Sequence, residues 1–271
     1  MSEQSIAFIG GGNMARSLIS GLVNGGQSAE SIAVSDPMPA QRELLSELGV
    51  RVSADNETAL AGAATVVLAV KPQVLGDVLR ALPLTPTQLL VSIAAGVPVA
   101  AMRNWTSEDQ AIVRCMPNTP GLLGAGITAL FASETVDAAG RERAESILSA
   151  AGHTLWVDEE EKLDAVTAVS GSGPAYFFYL MEAMVEAGME QGLDAETATV
   201  LTLETAYGAA LMARERTNSP AELRANVTSP GGTTAAAINA LDEADAAATI
   251  RNALAAAGTR SKTLAKEFGS P

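Results

Sequence analysis

Short apolar runs separated by amphipathic stretches fill the first half of the chain. Residues 6–9, 32–35, 50–53, 66–70, 89–93 and 112–115 read as strands, rich in aliphatic and β-branched side chains. Between them, residues 14–24, 40–48 and 73–82 place apolar positions at helical spacing. Strand, helix, strand in this rhythm predicts a parallel sheet with crossover helices. A further strand pair, residues 127–131 and 154–157, flanks a helix expected near residues 138–151.

The rhythm changes near Lys162. Residues 174–191, 195–214, 220–226, 233–241 and 244–267 read as helices, and strand patterns vanish. Within the first, Tyr176, Phe177, Leu180, Met181, Met184 and Val185 form an apolar stripe suited to core or subunit packing. The pattern thus predicts an α/β protein with a sheet domain over residues 1–161 and an all-α domain over residues 162–271.

Composition narrows the possibilities. The chain has 271 residues, 48% hydrophobic but only 4% aromatic, so its core must come from Ala, Val, Leu, Ile and Met. No apolar run is long enough to cross a bilayer, and MSEQSIAFIGGG lacks a basic leader, so a cytoplasmic location is expected. A net charge of −14 argues against nucleic acid or an anionic membrane as partner. Cys115 and His153 are the single cysteine and the single histidine, so neither a disulfide within the chain nor a metal site is expected. Cys115 reads as a buried strand-end residue and His153 as a core or strand-edge residue.

Candidate chemistry begins at "IAFIGGGNMARSL". Gly10-x-Gly12-x-x-Ala15 follows the first strand and opens a helix, the pattern of a dinucleotide site. Pyrophosphate would meet the N–H groups of the helix start, without a side-chain cation. The second strand ends in Ser35-Asp36-Pro37. Asp36 there would accept from a ribose 2′-OH and repel a 2′-phosphate. Alternatively Ser35 donates to such a phosphate, with Arg42 or Arg51 in reach, so NADH and NADPH both stay open. Ala69-Val70-Lys71-Pro72 and Cys115-Met116-Pro117-Asn118-Thr119-Pro120 break regular structure at the same sheet edge, where ligands bind in open α/β sheets. Ala94-Ala95-Gly96 offers small residues where a nicotinamide ring could approach backbone.

Two further stretches stand out. "AVTAVSGSGPAYFF", residues 165–178, joins the two predicted domains, with Pro174 near the first turn of a helix. "NVTSPGGTTAA", residues 226–236, interrupts helical sequence with Pro and paired glycines. Gly231 to Thr234 would present free N–H groups at a helix start, a site for a carboxylate.

Taken together, these stretches resemble the Δ1-pyrroline-5-carboxylate reductase family. The resemblance rests on Ile9-Gly10-x-Gly12-Asn13-Met14-Ala15, Ala69-Val70-Lys71-Pro72, Arg114-Cys115-Met116-Pro117-Asn118-Thr119-Pro120, Ser170-Gly171-Ser172-Gly173-Pro174-Ala175-Tyr176 and Val227-Thr228-Ser229-Pro230-Gly231-Gly232-x-Thr234. The last two are specific to the family; the first is shared by many dehydrogenases. It implies a Rossmann-like N-terminal domain and a helical C-terminal domain that interlocks with a second subunit, in dimers that assemble further into decamers. The implied reaction is NAD(P)H-dependent reduction of pyrroline-5-carboxylate to L-proline, the last step of proline biosynthesis.

The resemblance also implies roles for residues. Gly10, Gly12, Asn13, Met14, Ser35, Asp36, Asn56, Ala69, Val70, Lys71, Pro72, Ala95 and Asn118 fall on the coenzyme side. Glu160, Asn226, Ser229, Gly232, Thr233 and Thr234 fall on the substrate side. Thr234 is the expected catalytic contact to the ring nitrogen, with water or a substrate already protonated as the other proton routes and Tyr176 in reserve. Two other readings compete. A β-hydroxyacid dehydrogenase would carry a catalytic lysine on the first interdomain helix, and residues 170–191 contain none. A non-catalytic NAD(P)-sensing protein would bind coenzyme without a substrate site.

Overall fold

The computed structural model describes residues 5–269. The first part alternates as predicted: β1 (Ile6–Ile9), α1 (Asn13–Asn24), β2 (Ile32–Ser35), α2 (Pro39–Ser46), β3 (Arg51–Ser53), α3 (Asn56–Leu60) and β4 (Thr65–Leu68). It continues through α4 (Pro72–Ala81), β5 (Leu89–Ser92), α5 (Val99–Trp105), β6 (Ala111–Met116), β7 (Gly126–Ala132), α6 (Ala138–Ser149) and β8 (Gly152–Trp156). Helices α3 and α5 are additions to the pattern reading. Both are short, and short helices carry too few turns for periodicity to register.

All eight strands form one sheet in the order β3-β2-β1-β4-β5-β6-β7-β8. From β3 to β6 every pair is parallel, which brings the carboxyl ends of those strands to one edge. The central strands are apolar throughout because both faces are covered. Phe8, Val67, Leu89, Val91 and Val113 pack on one side with α1, α2 and α6. Their neighbours Ile9, Val66, Leu68, Leu90 and Ile112 pack on the other with α3, α4 and α5. One strand departs from the parallel pattern: β7 runs antiparallel to β6, and β8 is parallel to β7. A parallel return needs a crossover of a dozen residues or more. Residues 117–125 supply only a 3-10 turn, Thr119–Leu123, so the chain reverses instead.

Beyond the sheet lie α7 (Lys162–Val166), a π-helical turn at Thr167–Gly171, α8 (Gly173–Glu190), α9 (Ala195–Arg214), α10 (Pro220–Asn226), α11 (Thr233–Glu243) and α12 (Ala246–Gly269). By compactness the chain divides into two units, Gly173–Ala256 and the remainder, Met1–Ser172 with Ala257–Pro271. Helix α7 packs on β6 and β7 and so falls with the sheet unit. The final turns of α12 also rejoin the sheet unit, where the Ser261 hydroxyl donates to a carboxylate oxygen of Asp164 at 2.6 Å, both residues buried.

The helical unit has almost no core of its own. Ala198 and Thr202 are its buried side chains, whereas Phe177, Phe178, Tyr179 and Leu180 are 55–75% exposed on consecutive positions of α8. The stripe predicted there is therefore not intrachain core. A helix apolar on every side is stable only when something covers it.

Candidate active site

Geometry at the end of β1 singles out two glycines for different reasons. Gly10 has φ +100°, and a Cβ there would stand 2.7 Å from the Ala69 carbonyl oxygen. Both facts demand glycine. Its N–H donates to the Ser35 carbonyl while the Ala69 N–H donates to Ile9, each at 2.8 Å, so the turn is locked between β2 and β4. Gly12 is unconstrained: φ is −67°, and a Cβ there meets nothing within 4 Å. It caps α1 without a side chain, so the first N–H groups of that helix, from Asn13 to Ala15, open onto the free space. Such a cradle fits a pyrophosphate.

At the end of β2 the polar groups are partly committed to one another. Asp36 is buried; its Oδ2 accepts from the Gly11 N–H and its Oδ1 from the Met38 N–H, both at 2.8 Å. The carboxylate expected to face a ribose thus also fastens the glycine loop. The Ser35 hydroxyl donates to Asn56 Oδ1 at 2.6 Å, joining β2 to the first residue of α3. Lys71 is exposed at the N-cap of α4 and makes no ion pair among the described residues. Ala69, Val70 and Pro72 lead from β4 into that helix, beside Gly10.

After β5, Ala95 is half-buried and precedes Gly96, whose φ is +74° and which lies against Leu264 and Phe268. Beyond β6, the Asn118 amide accepts from the Ile127 N–H at 3.0 Å and donates to the Ser170 carbonyl at 3.3 Å. That side chain ties the strand end to the π-helical turn. All the residues expected on the coenzyme side therefore lie at or after the carboxyl ends of β1 to β6. Cys115 is buried one residue before that edge, and burial pushes its thiol far above the usual range. Native protein should accordingly fail to react with a thiol reagent such as DTNB at pH 8, and release one equivalent only on unfolding; rapid labelling of the folded chain would contradict this burial. His153 lies exposed on the edge strand β8.

The residues expected on the substrate side are divided between the two units. Asn226 ends α10, Ser229 lies in the connection, and Gly232 is the N-cap of α11. Thr233 is exposed and Thr234 half-buried in the first turn of α11. The Gly232 N–H is not free as expected: the tight turn directs it to the Ser229 carbonyl at 3.0 Å. The N–H groups of Thr233, Thr234 and Ala235 remain without helical partners. Glu160 belongs to the sheet unit instead. Its Oε1 accepts from Arg114 and from the Val99 N–H at the start of α5, each at 2.8 Å.

Losing one member of a fully buried ion pair costs about 3–5 kcal/mol. The cost is lower here because Glu160 keeps 22% of its side-chain surface, but the Arg114 partner keeps only 8%. Sequence reading missed this pair, although a lone arginine inside the apolar strand "AIVRCM" signals a buried acidic partner. Glu160 also borders a cleft of about 610 Å³ lined by Val99, Arg103, Phe131, Glu134 and Arg141. That cleft contains none of the glycine-loop residues, so enclosed volume is a poor guide to the chemistry here.

Known proteins match both halves of this geometry. Residues 5–96 match the family model described as NADP oxidoreductase coenzyme F420-dependent, and residues 160–264 match that of pyrroline-5-carboxylate reductase dimerisation. A pyrroline-5-carboxylate reductase of Pseudomonas aeruginosa is 52% identical over 272 residues, covering 99% of this chain and 100% of the relative. The chain belongs to the pyrroline-5-carboxylate reductase family. Among solved structures, the Coxiella burnetii pyrroline-5-carboxylate reductase superposes with a TM-score of 0.90 at 42% identity, covering 97% of this chain and 99% of that one. The Plasmodium falciparum pyrroline carboxylate reductase, solved with NADP bound, gives a TM-score of 0.86 at 28% identity over 98% and 99% of the two chains. The region matched to pyrroline-5-carboxylate reductase dimerisation contains the exposed apolar residues of α8 and α9, which accounts for a helical unit without a core. Among the described residues no helix is long and apolar enough to cross a membrane, and no cluster of His, Cys, Asp and Glu is placed to hold a metal ion.

Proposed function

We propose that this chain reduces 1-pyrroline-5-carboxylate to L-proline with NADPH or NADH, as the last step of proline biosynthesis. One observation carries the reading: a coenzyme cradle and a glycine-led helix start occur on a chain that matches, end to end, a relative named for this reaction. When bound, the nicotinamide coenzyme supplies the hydride. The chain's own task is to hold the imine carbon against it and to manage charge at the ring nitrogen.

The sheet edge supplies the first part. N–H groups from Asn13 to Ala15 hold the pyrophosphate, and Ala95 leaves room for a ring close to backbone. Asn56, Lys71 and Asn118 complete the coenzyme contacts. The start of α11 supplies the second part: N–H groups of Thr233 and Thr234 receive the substrate carboxylate without a buried cation. Asn226 and Ser229 flank it. The Thr234 hydroxyl donates its proton to an unprotonated ring nitrogen and regains one from water, or accepts a hydrogen bond from the N–H of a substrate that arrives already protonated. Glu160, fixed by Arg114, acts on substrate only through its remaining oxygen. The chains pair through their helical regions, assemble further into decamers and work in the cytoplasm.

The test is direct. NADPH absorbance at 340 nm should fall when pyrroline-5-carboxylate is added, with proline formed in equal amount; coenzyme binding without turnover would sink the proposal. Replacing Thr234 with alanine should lower kcat about 10- to 100-fold, the worth of one hydrogen bond to a charged group, and leave the coenzyme KM unchanged. A native kcat in that variant would remove Thr234 from the chemistry.

A further inference from the structure

Two arginines lie within sequence reach of the end of β2, and the structure separates them. Arg51 is level with Ala33 in the β2–β3 register, and its Nε donates to the Glu30 carbonyl at 3.1 Å, before β2 begins. It is tethered toward the amino end of the strand, away from the coenzyme edge. Arg42 is held at the other end. Its Nη1 donates to the carbonyls of Asp36 at 2.7 Å and Pro37 at 2.9 Å, the two residues that follow β2. Its Nη2 and Nε have no partner among the described residues, and the side chain is half-exposed.

The surrounding groups point the same way. Each carboxylate oxygen of Asp36 accepts one backbone N–H, one of them within the buried underside of the glycine loop; burial limits a ligand's access to the lone pairs that remain, while the negative charge stays. Asn56 spends Oδ1 on the Ser35 hydroxyl, so its remaining capacity is the Nδ2 donor. What remains to meet a ligand beside the end of β2 is an anchored guanidinium, which offsets the Asp36 charge that would otherwise repel a phosphate, and an amide N–H₂. A neutral ribose hydroxyl needs no such cation. A phosphate dianion does, above all in a chain of net charge −14. Anchoring through one Nη leaves the fork of the guanidinium oriented before the ligand arrives.

We infer that Arg42 recognises the 2′-phosphate of NADPH and sets this chain's preference for NADPH over NADH, while Asp36 positions the glycine loop. The inference rests on the proposed reductase activity and adds the specificity-determining residue to it.

Initial rates with each coenzyme test it on three full-length proteins: the wild type, Arg42→Gln and Arg51→Gln. Arg42→Gln should raise KM for NADPH about tenfold or more, with KM for NADH changed by less than about twofold. Arg51→Gln should leave both values within about twofold of the wild type. A rise shared equally by both coenzymes, or no rise, overturns the assignment, because a structural role would move both. A measurement on the wild type alone guards against a variant that fails to fold. There, 2′-AMP should compete with NADPH at least about tenfold more strongly than 5′-AMP; equal inhibition overturns the inference. Turnover of pyrroline-5-carboxylate with neither coenzyme would instead overturn the reductase reading itself, and this assignment with it.

Discussion

A Gly12→Val protein is expected to fold normally and to lose coenzyme binding by more than about a hundredfold. The backbone permits the change: φ at Gly12 lies in the region any residue adopts, and a Cβ there touches nothing within 4 Å. Yet that empty space lies above the bare N–H groups at the start of α1, where a pyrophosphate has to approach backbone. Two methyl groups fill it. Excluding the phosphates forfeits several charge-assisted hydrogen bonds, each worth about 1.5–3 kcal/mol, so even two of them exceed a hundredfold. The melting temperature should stay within about 2 °C of the wild type, where 1 kcal/mol corresponds to a few degrees for a chain of this size. Coenzyme titration by fluorescence gives the other half of the result. A variant that binds NADPH normally would show that the space is not the phosphate site. The contrast with Gly10 sharpens the point, since alanine there would meet both a disfavoured φ and the Ala69 carbonyl, and would act through the fold instead.

Leu201→Glu is expected to separate the subunits and abolish turnover with them. Leu201 is 53% exposed on α9, beside Val200 at 54% and near Leu203 at 47%. In the assembled protein these surfaces must be covered, because the helical unit buries little more than Ala198 and Thr202 within the chain. An uncompensated charge in such an interface costs about 3–5 kcal/mol, or roughly two to four orders of magnitude in the dissociation constant. Two-fold symmetry places the same change on both partners and doubles the penalty. Light scattering coupled to size exclusion reads the mass, and the NADPH assay reads activity on the same fractions. A native-sized, fully active Leu201→Glu protein would show that α9 is not covered by a second copy.

How much of this was legible in the sequence follows from what each residue touches. The central strands were readable because both faces of the sheet are covered, leaving runs such as "TVVL" and "LLVS" with hardly a polar interruption. The glycine loop was readable because Gly10 and Gly12 sit at fixed offsets from a strand and a helix. The reversal at β7 was not, since its direction is set by the shortness of residues 117–125 and not by the strand's own pattern. The role of Asp36 as acceptor for the Gly11 N–H depends on a residue distant in sequence and brought close only by sheet pairing. Glu160 shows the same limit. Its acidic neighbours Glu159 and Glu161 look identical in sequence, and only the fold selects which one meets Arg114. The Gly232 N–H was misjudged because paired glycines allow a turn tight enough to use the donor internally.

The hydrogen bond between Asp164 and Ser261 has a consequence for how the chain is made. Its two ends are 97 residues apart, and both belong to the sheet unit. Synthesis at about 5–20 residues per second delivers Asp164 on the order of 5–20 s before its donor. During that interval Gly96 also lacks the cover of Leu264 and Phe268. The sheet unit therefore stays incomplete until the whole helical unit has been synthesised, its remaining packing contributed by residues of α12.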